Sequence, residues 1–374
     1  MPGPTYCGLA LTWVIVAVFH FGARSWLVVP ISSPVAIVSF LVLFSTIMGA
    51  AVGVVWFADK LAHELGEPYG TLILTLSVVS IEVILIAGVM IVSADAATIG
   101  RDAIFSVMMI IMNLVVGLSI VVGCLRHGEQ EYNAQGGVAY VSMILTLTGI
   151  ALVLPNALGT GGGSFGHAQA IALSAITILT YAVFLAAQMG AYRRLFIQPS
   201  PGTLTVSHGA ARSEKAKARN TINRRSVVLR SMALVLFLVP IVLLSHHLAL
   251  LIDIGIEHTG APVAVGGVII AIIVFTPESI TAVKASLRNE MQRTINLCLG
   301  AFVSTVGLTV PAVLIVGLVT GKTVVMGLTA PDTVLSVLTI GLSALTFFGQ
   351  RISLVQGILH LALFAVFVLL LFNS

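Results

Sequence analysis

Charge is what this 374-residue sequence has least of: Asp, Glu, Lys and Arg make up 9% of it, against roughly a quarter in soluble domains. Too few charges remain to solvate a water-facing surface, and the 58% hydrophobic content and mean hydropathy of +1.10 point to an all-α polytopic membrane protein. Cysteine is scarce as well. Cys7, Cys124 and Cys298 lie far apart, with no CxxC or other metal-ligand spacing. His63 and Glu64 are followed by Glu67 where a zinc-protease HExxH needs its second histidine, and the glycine-rich stretch at 158–166 lacks the GK[ST] ending of a phosphate-binding loop. That stretch is expected to be a flexible turn. The net charge of +4 does not point to nucleic acid, because the basic residues gather in one loop. The first apolar run, Leu9 to Phe21, has no preceding positive charge and no small-residue cleavage site, so it reads as a first, partial membrane helix rather than a signal peptide.

Apolar runs of spanning length number eleven, at about 8–22, 34–58, 68–93, 102–125, 137–155, 168–192, 227–250, 261–287, 293–319, 331–348 and 352–372. The organisation expected is an N-terminal helix and linker at 1–33, a five-helix repeat at 34–192, a basic loop at 193–226, and a second five-helix repeat at 227–374. With the RSEKAKARNTINRR segment of that loop in the cytoplasm, only Arg24, Arg101 and Lys322 of the eighteen Lys and Arg residues fall outside. The positive-inside rule then gives a cytoplasmic N-terminus and an external C-terminus in a bacterial inner membrane. Five helices per half make the second half enter from the opposite side, so the repeats are inverted.

Two acids break the apolar pattern. Glu82 sits in YGTLILTLSVVSIE and Glu278 in VGGVIIAIIVFTPE, and the two stretches align without gaps. A helix beginning near Pro68 places Glu82 roughly 20 Å along its axis, near the middle of a ~30 Å hydrocarbon core. The other twelve acids fall in loops or at helix ends. A deep carboxylate costs about 2.5 to 3.5 kcal/mol on insertion scales, which makes it a functional-site hypothesis, and a matched pair in two halves of a chain is the pattern of a transporter built by duplication. Oxygens without competing cations surround them in sequence: Thr75, Ser77 and Ser80 before the first, Thr276 and Ser279 beside the second, and Ser106, Asn113, Asn296, Ser304, Thr305 and Thr309 on the helices that follow. Of these, Ser80, Thr276, Ser279, Ser106, Asn113 and Asn296 are the candidate supporting ligands. Pro277 is expected to break its helix and free carbonyls beside Glu278.

The stretches at 66–86, 276–297 and 306–317, with QGILHLALFAVF at 356–367, resemble the two repeats of the calcium:cation antiporter superfamily. They are most similar to the bacterial calcium/proton branch that also exchanges sodium or potassium. The resemblance implies that Glu82 and Glu278 bind the transported cation, Ca2+ in the first place, and carry protons in turn. No cofactor is implied beyond the transported Ca2+, Na+ or K+ and H+, and the partners are the lipid bilayer and these ions. The positions three before the glutamates are Val79 and Phe275, where many members carry asparagine. Two alternatives stand beside this reading: a sodium/calcium-type exchanger that uses no protons, and an intramembrane enzyme with paired acids. The second would need aspartates in GxGD-like motifs, and no aspartate lies deep.

Overall fold

In the computed structural model, residues 3–26, 33–65, 69–92, 96–158, 162–199 and 224–372 are described. They form eleven helices: α1 (Gly3–Trp26), α2 (Ser33–Leu65), α3 (Tyr69–Val92), α4 (Ile99–His127), α5 (Ala134–Ala157), α6 (His167–Met189), α7 (Arg224–Thr259), α8 (Ala264–Ser286), α9 (Met291–Thr320), α10 (Ala330–Phe348) and α11 (Leu354–Leu371). Ten are long and apolar enough to cross a membrane, whereas in α1 only Gly8–Gly22 is apolar. A two-residue antiparallel ribbon, Gln130–Glu131 with Arg351–Ile352, ties the loop after α4 to the loop before α11. The central basic segment at 200–223 lies outside the described residues.

Helices of one half pack on helices of the other: α2 on α7, α4 on α8 and α11, α9 on α6, and α5 on α10. Lipid-facing helices gain nothing by hiding apolar surface from one another, so close approach depends on small residues. At Gly117 a Cβ would press on the Gly357 carbonyl oxygen of α11, and at Gly267 on the Asp102 and Ala103 backbone of α4. The two innermost helices follow from this. In α4 83% of the apolar stretch is buried and in α9 67%, against 22% in α11.

Both central helices are interrupted midway by π-helical turns, Met109–Val115 in α4 and Thr305–Thr309 in α9. Such turns leave the regular bond ladder and are frequent at functional sites. The same offset that pairs Glu82 with Glu278 pairs Met109 with Thr305 and Asn113 with Thr309. The π turn of each half also packs against the glutamate helix of the other half. Pro277, by contrast, does not break its helix. α8 runs through it from Ala264 to Ser286, because a proline φ near −65° suits a helix and only the bond to the Ile273 carbonyl is lost.

One end of the bundle is sealed. The segment at 321–329 folds inward with Met326 and Leu328 buried, and its backbone is clasped from several sides. Arg101 Nη1 donates to Gly327 O at 3.0 Å and Asn156 Nδ2 to Leu328 O at 2.6 Å, while Lys322 Nζ donates to Met90 O at 2.6 Å. Backbone bonds from Val325 N to Ala97 O and from Met326 N to Gly163 O complete the closure. The glycine-rich stretch is therefore not a free turn over 162–166; it is pinned to this segment, Ser164 bridging to Val325. Its residues 159–161 lie outside the described ones.

Candidate functional site

Glu82 sits in the middle of α3 and is fully buried. Its Oε2 accepts hydrogen bonds from Thr305 Oγ1 at 3.0 Å and Thr309 Oγ1 at 2.9 Å. Both threonines belong to the π turn of α9 and are themselves fully buried. A π turn widens the helix by one residue, and here it turns two hydroxyls toward one carboxylate. Glu82 Oε1 is buried with no partner.

Glu278 lies on α8, within electrostatic reach of Glu82. Its Oε2 is likewise buried and without a hydrogen bond. Unlike Glu82, it lines a cavity of about 290 Å³ that extends past Thr75, Tyr181, Ser304 and Asn296 to Arg193 and Arg293, at the end of the bundle where α6 finishes and α9 begins. That end is opposite the sealed segment. Among the described residues, the cavity that reaches Glu278 runs toward that end.

Among the described residues neither glutamate is paired with a cation. The ion pairs that include a deep-lying or interfacial acid join Arg101 to Asp102 and Arg230 to Glu64, and others join Arg293 to Glu290 and Arg351 to Glu129 and Glu131. Two mid-helix carboxyls without a counter-charge among the described residues call for a positive species, a proton or a metal cation. Each offers one bare oxygen for it. The hard oxygen donors suit Ca2+ and the alkali cations rather than soft metals.

The other predicted residues divide. Asn296 lies along the cavity, its Nδ2 donating to Phe196 O at 2.6 Å. Ser80, Ser279 and Ser106 donate to carbonyls four residues back in their own helices, at 2.6, 2.7 and 2.6 Å, and Thr276 does the same to Ile272 O. Their lone pairs stay available. Asn113 is fully buried in the α4 π turn but engages Thr339 Oγ1 at 2.8 Å and His360 Nδ1 at 3.1 Å. Thr305 and Thr309, named among the oxygens but not among the supporting ligands, are the two that grip a glutamate. Thr305 and Thr309 stand four residues apart, the spacing that brings two hydroxyls to one side of a helix.

The model of the sodium/calcium exchanger protein family matches residues 35–190 and again 229–373. The chain belongs to that family. It is 33% identical to the sodium-potassium/proton antiporter ChaA of Escherichia coli (strain K12), over 96% of this chain and 93% of that one. It is also 33% identical to the putative ionic transporter y4hA of Sinorhizobium fredii (strain NBRC 101917 / NGR234), over 90% of this chain and 89% of the relative. Among solved structures the fold resembles native YfkE, with a TM-score of 0.72 at 18% identity over 98% of this chain and all of that one. It also resembles the H+/Ca2+ exchanger CAX, with a TM-score of 0.68 at 16% identity over 98% of this chain and 87% of that one. The protein is a multi-pass membrane cation antiporter, a secondary transporter and not an enzyme.

Proposed function

We propose that this protein exchanges Ca2+, and also Na+ or K+, for protons across a bacterial inner membrane by alternating access to a site built on Glu82 and Glu278. The observation that carries this reading is the pair itself: among the described residues, two mid-helix acids without a counter-cation, Glu82 fully buried and Glu278 half-buried at the cavity, each with one buried, unsatisfied oxygen. Empty and ionised, the site holds two negative charges in a medium of low dielectric, which is strongly unfavourable. One Ca2+, two monovalent cations or two protons each neutralise it, and only neutral loads let the walls close around it. Exchange follows, with two protons moved per turnover of the site. The carboxyls titrate as a pair, so protons and cations compete for the same oxygens.

Ion choice follows from what stands beside the carboxyls. Calcium takes six to eight oxygens at about 2.3 to 2.6 Å. Val79 and Phe275, both packed in the core, fill the places where side-chain amides would add fixed dipoles, so fewer rigid oxygens remain and monovalent ions compete. The name of the ChaA relative, a sodium-potassium/proton antiporter, favours the same conclusion over a proton-independent sodium/calcium exchanger. The cation distribution supports a cytoplasmic central loop and N-terminus, with the cavity of Glu278 open to the cytoplasm and the 321–329 segment closing the periplasmic side.

Everted vesicles carrying a pH gradient test the reading: Ca2+, Na+ and K+, added separately, should each dissipate the gradient. The Na+ and K+ responses should grow from pH 7 to pH 9 as proton competition weakens. Strict Ca2+ dependence throughout would overturn the mixed selectivity, and gradients untouched by any of the three would overturn proton coupling. In the same vesicles a cysteine at Ser207 should react with impermeant reagents from the cytoplasmic face alone.

A further inference from the structure

The offset that relates the repeats makes Asn113 the counterpart of Thr309. Thr309 donates to the glutamate of the opposite half, and the π turn holding Asn113 packs on α8, the helix of Glu278, in the corresponding way. Yet Asn113 does not satisfy Glu278, whose Oε2 is left bare. Its carboxamide is held elsewhere. Nδ2 donates to Thr339 Oγ1 at 2.8 Å, and Oδ1 accepts from His360 Nδ1 at 3.1 Å. Since Nδ1 must carry the proton, Nε2 of the neutral ring accepts from Thr346 Oγ1 at 3.2 Å. All four side chains are fully buried.

We infer that Asn113 is a two-position latch: bound to His360 and Thr339 when the cavity is open to Glu278, and turned to the Glu278 carboxyl when the opposite end opens. The inference rests on reading the two glutamates as the ion site. Its logic is that of inverted repeats, in which each half adopts in one state the arrangement its partner holds in the other. Here one half shows the closed arrangement, a π-turn side chain on a glutamate, and the other shows the open one. Exchanging them releases Glu82 from Thr305 and Thr309 and places Asn113 on Glu278. His360 and Thr346 then act as positioning residues. They determine how readily Asn113 leaves.

Two reporter cysteines read the equilibrium in a background with Cys7, Cys124 and Cys298 replaced: Ala301→Cys on the open cavity and Leu328→Cys beneath the sealed end. Labelling rates at the two are measured from their own sides in vesicles, without transported cation, at matched protein abundance. His360→Phe removes a bond made only in the cavity-open state, so the ratio of rates should move toward the Leu328 reporter by about fivefold, the weight of one hydrogen bond. Adding Asn113→Val should bring the ratio back, because it removes the bond to the Glu278 carboxyl in the opposite state, which outweighs the neutral bond to Thr339 lost in the cavity-open state. His360→Gln, which keeps a donor, should preserve the parental ratio. Thr346→Val, which only loosens the ring, should shift it in the direction of His360→Phe but less. A ratio unmoved by both His360→Phe and Thr346→Val, or not restored by Asn113→Val, overturns the latch. Labelling needs no transport, so exchange that survives Glu278→Gln would overturn the ion-site reading by a separate measurement.

Discussion

Glu82 and Glu278 occupy equivalent places in two aligned stretches, yet their surroundings differ in kind. Glu82 is sealed in and gripped by two threonines; Glu278 borders a water-sized path and has no hydroxyl on its Oε2. The repeat motifs match through both glutamates and both helices carry a π turn at the same offset, but Met109 and Asn113 stand where the other half has Thr305 and Thr309. Which side of the molecule is closed adds to the difference. Repetition in the sequence limits where donors and carboxyls can meet, and on the alternating-access reading proposed above the state of the protein selects which meeting takes place.

The strongest way to break this comparison is to neutralise either acid. Glu82→Gln and Glu278→Gln keep the shape but cannot alternate between charged and neutral, so each should lower cation-dependent proton flux by at least about a hundredfold at normal membrane abundance. Near-normal flux in one of them would show that the two acids are not a working pair. A smaller effect should separate the π turns. A hydroxyl donating to a carboxylate contributes about 1.5 to 3 kcal/mol, so Thr305→Val or Thr309→Val should weaken exchange at a fixed cation concentration roughly tenfold. Met109→Leu at the corresponding place, where no bond to a glutamate exists, should stay within about twofold of the parent. Equal losses in all three, read from initial flux rates, would mean that these turns serve packing alone. The smallest effect concerns the missing amides. Val79→Asn should raise the preference for Ca2+ over Na+ about threefold by adding one fixed oxygen dipole, measured by competition between the two ions; no change would place selectivity elsewhere.

Most of this architecture was legible before any coordinates. Eleven apolar runs became eleven helices, since spanning length and hydropathy leave a bilayer protein few alternatives, and the two deep acids stood out because the only other charge in their runs is Lys284, near a helix end. What stayed hidden depends on backbone that composition does not encode. Pro277 suggested a break and is accommodated in a continuous helix, while π-helical turns fall at Met109–Val115 and Thr305–Thr309, with a further one in α5 at Gly149–Val153, stretches with no proline inside them. Pro311 follows the second turn closely but has no match in the first. Ser80, Thr276 and Ser279 were conspicuous for lying next to the glutamates in sequence; along one helix, however, neighbours point to different faces and spend their protons on their own carbonyls. The residues that reach Glu82 come from a helix more than two hundred residues away. His360 was visible only as part of an apolar stretch, and its partners Asn113 and Thr346 come together through the packing of α4, α10 and α11.

The wall at the sealed end is fastened in a particular manner: Arg101, Asn156 and Lys322 each grasp main-chain carbonyls, at Gly327, Leu328 and Met90. Every residue type carries the same carbonyl, so the side chains at Met90 and Leu328 are free to vary without loosening the clasp, provided the backbone path is kept, whereas a Cβ at Gly327 would collide with Asn156. Mutational tolerance at that end should therefore be lopsided. Exchanges at Met90 or Leu328 for residues of similar bulk leave the fastening intact, whereas replacing any of the three donors opens a seam that no change in the acceptors can mend.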